Sequence, residues 1–97
     1  MIDASRIEFH DLGTKGRYVY ADGGEEAELT FTKAGTSQII IDHTEVPTAF
    51  RGKGVGQALV AHAVETARMQ GLKITPLCPF AASQFRRNPE WQDVLAR

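Results

Sequence analysis

One short segment constrains the fold of this chain more than any other: Arg51-Gly52-Lys53-Gly54-Val55-Gly56, three glycines alternating with two cations. On its N-terminal side lies Ile39-Ile40-Ile41, a continuous apolar run inside residues 37–46. Such a run suits a central strand covered on both faces. Pro47 ends it, because proline cannot donate a ladder hydrogen bond. On the C-terminal side, apolar residues recur at Val55, Leu59, Ala63 and Ala67, flanked by Val60 and Val64. That stripe predicts a helix from Val55 to Gln70, stopped by Gly71. Lys73 to Leu77 then reads as a short strand. A strand, tight loop, helix and strand in this order predict a right-handed crossover and a locally parallel pair.

The chain before the apolar run is strand-like. Ile7 to His10 alternates, Arg17 to Ala21 is aromatic and β-branched, and Ala27 to Thr32 alternates cleanly. Turns are expected at Gly13-Thr14-Lys15-Gly16, at Asp22-Gly23-Gly24 and at Lys33-Ala34-Gly35-Thr36. After the last strand, Pro79 to Arg87 reads as a second helix with proline in its first turn. Asn88-Pro89 breaks it, and Glu90 to Arg97 is expected to add a final helical turn. The predicted class is α+β: a mixed, mostly antiparallel five-stranded sheet with two main helices, in one domain over residues 1–97.

Composition narrows the function. With 97 residues there is room for one small core. Eleven Lys and Arg stand against twelve Asp and Glu, a net charge of -1, which gives no electrostatic reason to expect nucleic acid or an anionic membrane as partner. No apolar run approaches the roughly 18 residues that span a bilayer. Met1 to Arg6 has neither a cationic start nor an apolar core, so no export signal is expected. The lone Cys78 has no internal disulfide partner, and a reducing cytoplasm is the expected location. One cysteine and three scattered histidines give no zinc-ligand spacing, so no metal is expected.

The glycine loop is an expected anion site. Its glycines allow a tight turn that exposes consecutive N–H groups. Those groups and the following helix start suit a pyrophosphate, with Arg51 and Lys53 adding positive charge. A nucleotide P-loop would need Ser or Thr after Lys53, where Gly54 stands. A dinucleotide-binding unit would need an acid at the end of the next strand, where the chain reads Thr75-Pro76.

Arg51-Gly52-Lys53-Gly54-Val55-Gly56, after a strand ending in Val46-Pro47, resembles the acetyl-CoA signature of the GNAT superfamily of N-acetyltransferases. With His43-Thr44-Glu45-Val46-Pro47 and Pro76-Leu77-Cys78-Pro79-Phe80 added, the chain looks like the small single-domain YjdJ-type GNAT proteins. Asn88-Pro89 departs from their usual His-Pro. The resemblance implies a minimal GNAT-like fold whose first two strands are joined by a turn, without the two helices of larger members. It implies an acceptor site open enough for a protein surface or a bulky amine. It also implies that acetyl-CoA is the co-substrate. Its pyrophosphate would lie on the backbone of Arg51, Gly52, Lys53, Gly54, Val55 and Gly56, and its pantetheine along Thr44, Glu45 and Val46.

Cys78 is the leading catalytic candidate. It sits between a strand and a proline-initiated helix, a position that can lower a thiol pKa. It can serve as nucleophile or as the acid that protonates departing CoA, a role taken by tyrosine in many GNAT enzymes; it can equally be a small buried residue. His43 and Glu45, two apart on a strand, share a face, with Asp42 and Thr44 on the other. Either His43 or Glu45 can deprotonate an acceptor ammonium. Arg86 and Arg87 suit a helix C-terminus, Trp91 an anchor for the C-terminal turn, and one of Phe80 and Phe85 the core. The leading function is acetyl transfer to an unidentified amine. The alternative is a non-catalytic acetyl-CoA- or CoA-binding module. A monomer or a weak homodimer, paired through an N-terminal edge strand, is expected.

Overall fold

In the computed structural model, which describes residues 2–96, four antiparallel strands lead into a parallel pair. The strands are β1 (Glu8–Asp11), β2 (Lys15–Asp22), β3 (Glu25–Ala34), β4 (Gln38–Glu45) and β5 (Lys73–Pro76), in the sheet order β1-β2-β3-β4-β5. The first three pairings are antiparallel, and β4 runs parallel to β5. The helix α1 (Val55–Gln70) makes the crossover between β4 and β5, and α2 (Pro79–Arg87) follows β5.

The strands run further than their alternation suggests. Lys15 and Gly16 belong to β2 rather than to a turn, and Lys33 and Ala34 extend β3. At the start, Ala4–Arg6 form a short 3₁₀ turn capped by Asp3, and Ile7 is buried just before β1. At the other end the expected helical turn is 3₁₀, over Pro89–Val94. Pro89, which cannot donate an N–H, and the non-helical Asn88 cap hold this segment apart from α2. Arg97 lies outside the described residues. Leu95 bridges to Ile74, so the segment closes the open side of β5.

The stripe on α1 packs as its spacing requires. Val55, Leu59, Val60, Ala63, Val64 and Ala67 are all buried, together with Leu29, Phe31, Ile39 and Ile41 from the sheet. Gly71 adopts φ 71°, and its N–H and that of Leu72 satisfy the carbonyls of Arg68 and Ala67. This closure needs a left-handed residue, the role of glycine at a helix end. Ala81 and Phe85, one helical turn apart, take α2 into the same core, with Trp91 edge-on to Phe85 at 5.4 Å.

The other face of the sheet is polar. Arg17 binds Glu26 and Glu28 at 2.8 and 2.9 Å, and Lys15, Thr32 and Asp42 bond one another across three strands. Ile39 and Ile41 are buried in the core, but Ile40 is only half-buried, opposite Thr32 and Thr75. The central strand is therefore covered by helices on one face, not on both. Among the described residues, no helix is long and apolar enough to cross a membrane.

His62 on α1 stands edge-on to Tyr18 at 4.9 Å, and burial pushes its imidazole pKa down. Protons therefore bind the unfolded chain more readily than the folded one. Stability should be fullest above the ordinary imidazole pKa of about 6.5 and fall as pH drops below it. Thermal melts between pH 8 and pH 5 should show that fall, and His62→Gln should flatten it. An unchanged slope in the variant would remove His62 as its source.

Candidate active site

The site begins where β4 and β5 part. Their register ends at Ile41 and Pro76, and the last link between them is the Cys78 N–H, which donates to the Ile41 carbonyl at 3.0 Å. Just there β4 carries a bulge. Phe31 faces Ile41 and Thr30 faces His43, so Asp42 is an extra residue with no partner on β3. The bulge resets the alternation of the strand end. Asp42 and Thr44 do not share a face, as simple alternation suggests. Asp42 lies on the polar face with Thr32, whereas Thr44 pairs with the buried Leu29 and turns inward. His43 and Glu45 do share a face, the outward one, and both are exposed.

Thr44 therefore meets Cys78, whose thiol donates to Thr44 Oγ1 at 3.7 Å. Cys78 is the N-cap of α2 and is 5% exposed. Burial pushes its thiol pKa up. The N–H of Ala81, the Thr44 hydroxyl, and the N–H groups of Phe80 and Thr44 together outweigh burial and hold the pKa below the ordinary value. The thiolate, the reactive form, is thus favoured by neutral donors rather than by a cation. Cys78 and Thr44 are brought together; His43 and Glu45 lie across the strand from them.

Beyond β4, a short 3₁₀ turn over Thr48–Phe50 leads into the glycine loop. Val46, Phe50, Arg51, Gly52, Gly54 and Phe80 line a cleft of about 340 Å³, with the first turn of α1 as its floor. Gly52 and Gly54 adopt φ 78° and 73°, which fold the loop back on itself. Among the described residues no side chain caps α1, and its first helical bond is Ala58 N–H to Gly54 carbonyl at 3.0 Å. The N–H groups of Val55, Gly56 and Gln57 come before that bond, and these three residues are part of the cleft lining. Arg51 and Lys53 are exposed at its rim. A helix start left uncapped beside two exposed cations has the donor set that a pyrophosphate requires.

Gly56 serves a different purpose from the other two. It lies inside α1 with an ordinary φ, and a Cβ there would come within 2.9 Å of Phe80 Cζ and 3.4 Å of Val46 Cγ2. It is small so that α2 can approach α1. Phe50 and Phe80 are walls of the cleft that the motif alone does not reveal. For Phe80 a signal existed: Ala81 and Phe85 share the core face of α2, which leaves Phe80 for the cleft. Tyr18 and Tyr20 are buried in β2, so neither stands at α2. Asn88 donates to the Gln84 carbonyl at 2.8 Å, which closes the end of α2. Arg86 and Arg87 are exposed in its last turn.

A larger cavity, about 570 Å³, opens between Phe9, Tyr18 and Phe31 of the sheet and Thr66 and Gln70 of α1. It contains none of the loop residues. Thr66 is ten residues along α1 from Gly56, about 15 Å at the helical rise. Volume favours this cavity, but the glycine loop and the start of α1 line the smaller cleft, whose wall Phe80 is two residues from Cys78, and the chemistry decides in its favour.

Comparison with known proteins bears on the family and the fold. The family described as GCN5-related N-acetyl-transferase matches residues 17–94. Protein NATD1 of Xenopus tropicalis is 31% identical over 85 residues, which cover 87% of this chain and 77% of that protein. The solution structure of a GCN5-like protein from Staphylococcus aureus is similar with a TM-score of 0.69 at 33% identity, covering 95% of this chain and 90% of that one. Nourseothricin acetyltransferase is similar with a TM-score of 0.53 at 29% identity, over 66% of this chain and 40% of its own length.

The packing role assigned to Gly56 can be checked by a double-mutant cycle. Alanine inside a helix is normally favoured over glycine by about 1 kcal/mol. Here the contact with Phe80 should reverse the sign, and Gly56→Ala should cost about 1–3 kcal/mol by overpacking. In a Phe80→Leu background the same substitution should be neutral or stabilising. Denaturant titrations of the four proteins measure the difference, and equal effects in both backgrounds would refute the contact.

Proposed function

The chain belongs to the GCN5-related N-acetyltransferase family, and on that premise we propose that it transfers an acetyl group from acetyl-CoA to an amine. The observation that carries the reading is the adjacency of two features at one strand end. An uncapped, glycine-looped helix start suits a pyrophosphate, and a lowered-pKa thiol lies where β4 and β5 part. The N–H groups of Gly52, Gly54, Val55 and Gly56 would hold the cofactor phosphates, whereas those of Arg51 and Lys53, expected to do so as well, already donate to the carbonyls of Thr48 and Phe50 at 3.0 and 3.1 Å. The backbone of Thr44, Glu45 and Val46, unpaired with β5, would run beside the pantetheine. When bound, acetyl-CoA supplies the activated acetyl group.

Cys78 is the reactive side chain in this reading. As nucleophile its thiolate would take the acetyl group as the CoA thioester bond breaks and CoA leaves as thiolate, then pass it to the neutral amine with the Cys78 thiolate released; as acid it would protonate the CoA thiolate. The acceptor ammonium must lose a proton before it attacks. The side chains assigned to that step are Glu45 and His43, on the outward face of the same strand end. The polar, uncovered face around them suits a large acceptor better than an enclosed small molecule, and the acceptor class proposed is a bulky amine or a protein surface.

A second reading has its own support. Both tyrosines are buried in β2, and Cys78 is 5% exposed. A domain that binds acetyl-CoA without turnover fits those two facts.

Calorimetric titration with acetyl-CoA, with ATP as control, should give saturable binding of the first alone. Arg51→Ala with Lys53→Ala should weaken it about tenfold, given about 0.3–1 kcal/mol per cation near a helix end. Intact mass after incubation with acetyl-CoA should show one added acetyl group that Cys78→Ala abolishes if sulfur is the nucleophile. Cofactor binding with acetyl transfer undiminished by Cys78→Ala would remove Cys78 from the chemistry. No binding at millimolar acetyl-CoA would overturn both readings.

A further inference from the structure

We propose that Asp42 is a positioning residue: through Thr32 and Lys15 it holds the β4 bulge that brings Thr44 against Cys78 and turns His43 and Glu45 outward. This rests on the reading of Cys78 as the reactive group. Asp42 itself faces away from the sulfur, on the polar side of the sheet, and reaches the site only through the backbone it anchors.

A bulge leaves its extra residue outside the ladder, so the strand gains nothing there from backbone pairing. In this chain a side-chain network takes the place of that pairing. Thr32 Oγ1 donates to Asp42 Oδ2 at 2.7 Å, Lys15 Nζ lies 3.6 Å from the same oxygen, and Lys15 Nζ donates to Thr32 Oγ1 at 2.9 Å. The triangle ties β2, β3 and β4 together at the one residue where the register shifts. Asp42 is half-buried, with its side chain 30% exposed, so the pair with Lys15 is less screened than a free surface contact.

The consequence lies two residues further on. Without the extra residue, regular alternation would turn Thr44 to the polar face and His43 into the core. With it, Thr44 presents its hydroxyl to the sulfur from β4, while the N–H groups of Phe80 and Ala81 face the sulfur from α2. With the Thr44 N–H, these are the described groups whose hydrogen bonds lower the thiol pKa, and none is charged. Loosening the bulge withdraws one of the few donors that favour the thiolate.

Cys78 is the chain's one cysteine, so ultraviolet titration of the thiolate, with the Cys78→Ala protein as blank, reads this group alone and needs no acetyl-CoA. Asp42→Ala should leave about threefold less thiolate at neutral pH, corresponding to an upward shift of about half a pH unit. Asp42→Asn keeps an acceptor for Thr32 and should titrate like the natural chain. A merely structural role would lower the melting temperature without moving the titration, so melts are recorded in parallel. Should Asp42→Ala fail to fold, Thr32→Val removes the two links through Thr32 while leaving the Asp42–Lys15 pair, and should shift the titration in the same direction. A natural midpoint in every folded variant overturns the proposal. Because the readout is the free thiol, a lack of acetyl-CoA binding would defeat the proposed function while leaving this outcome legible.

Discussion

The extra residue in β4 is the constraint on which the rest of this structure depends. Up to Ile41 the strand is an ordinary member of the sheet, with Ile39 and Ile41 in the core and β5 beside it. Past Asp42 it belongs to the site: its inner side chain becomes Thr44 and its neighbour β5 has already departed. Because the period of a strand is two, a single inserted residue exchanges the faces of everything that follows. One insertion thus converts a packing strand into one that presents a hydroxyl inward, two titratable side chains outward and a free backbone edge between them.

The glycine loop illustrates a division of labour among residues that look alike in the sequence. Gly52 and Gly54 are required by backbone conformation, and Gly56 by the approach of Phe80. The start of α1 has no capping side chain, although Ser, Thr, Asp or Asn there is typically worth about 1 kcal/mol. A helix that forgoes that stabilisation keeps its N–H groups open. Its stability comes instead from the apolar stripe, which is buried from Val55 to Ala67.

The legible parts of the fold were those governed by strong local rules. The bounds of α1 and α2 follow from an apolar stripe ended by glycine and from a proline at the first helical position. The parallel pair follows from the strand, loop, helix and strand order. The strand ends are longer than the alternation shows, because Lys15, Gly16, Lys33 and Ala34 are held by pairing across the sheet, which no local pattern encodes. The same reason hides the bulge. Ile40, Ile41, Asp42 and His43 look continuous, and only the registers of Phe31 and Thr30 reveal that one residue is unmatched. At the site, the anion loop was legible because it is contiguous. The contact of Cys78 with Thr44 spans 34 positions and depends on the bulge, so it was not.

The faces exchanged at Asp42 also bear on how acetyl transfer could be arranged in so small a domain. Cys78 and Thr44 lie on the core side of β4, and His43 and Glu45 on the polar side. Glu45 stands opposite Glu28, a like-charged cross-strand pair that is unfavourable unless one partner is neutralised. Arg17 does this for Glu28 at 2.9 Å, which leaves Glu45 as the open carboxylate. In the proposed reaction an acceptor ammonium would relieve the repulsion that remains. In the proposed reaction the thioester approaches along the core side, from the loop, while the amine arrives from the polar side. The two would meet in the gap that opens beyond Ile41 and Pro76, where no ladder hydrogen bond separates the faces of the sheet.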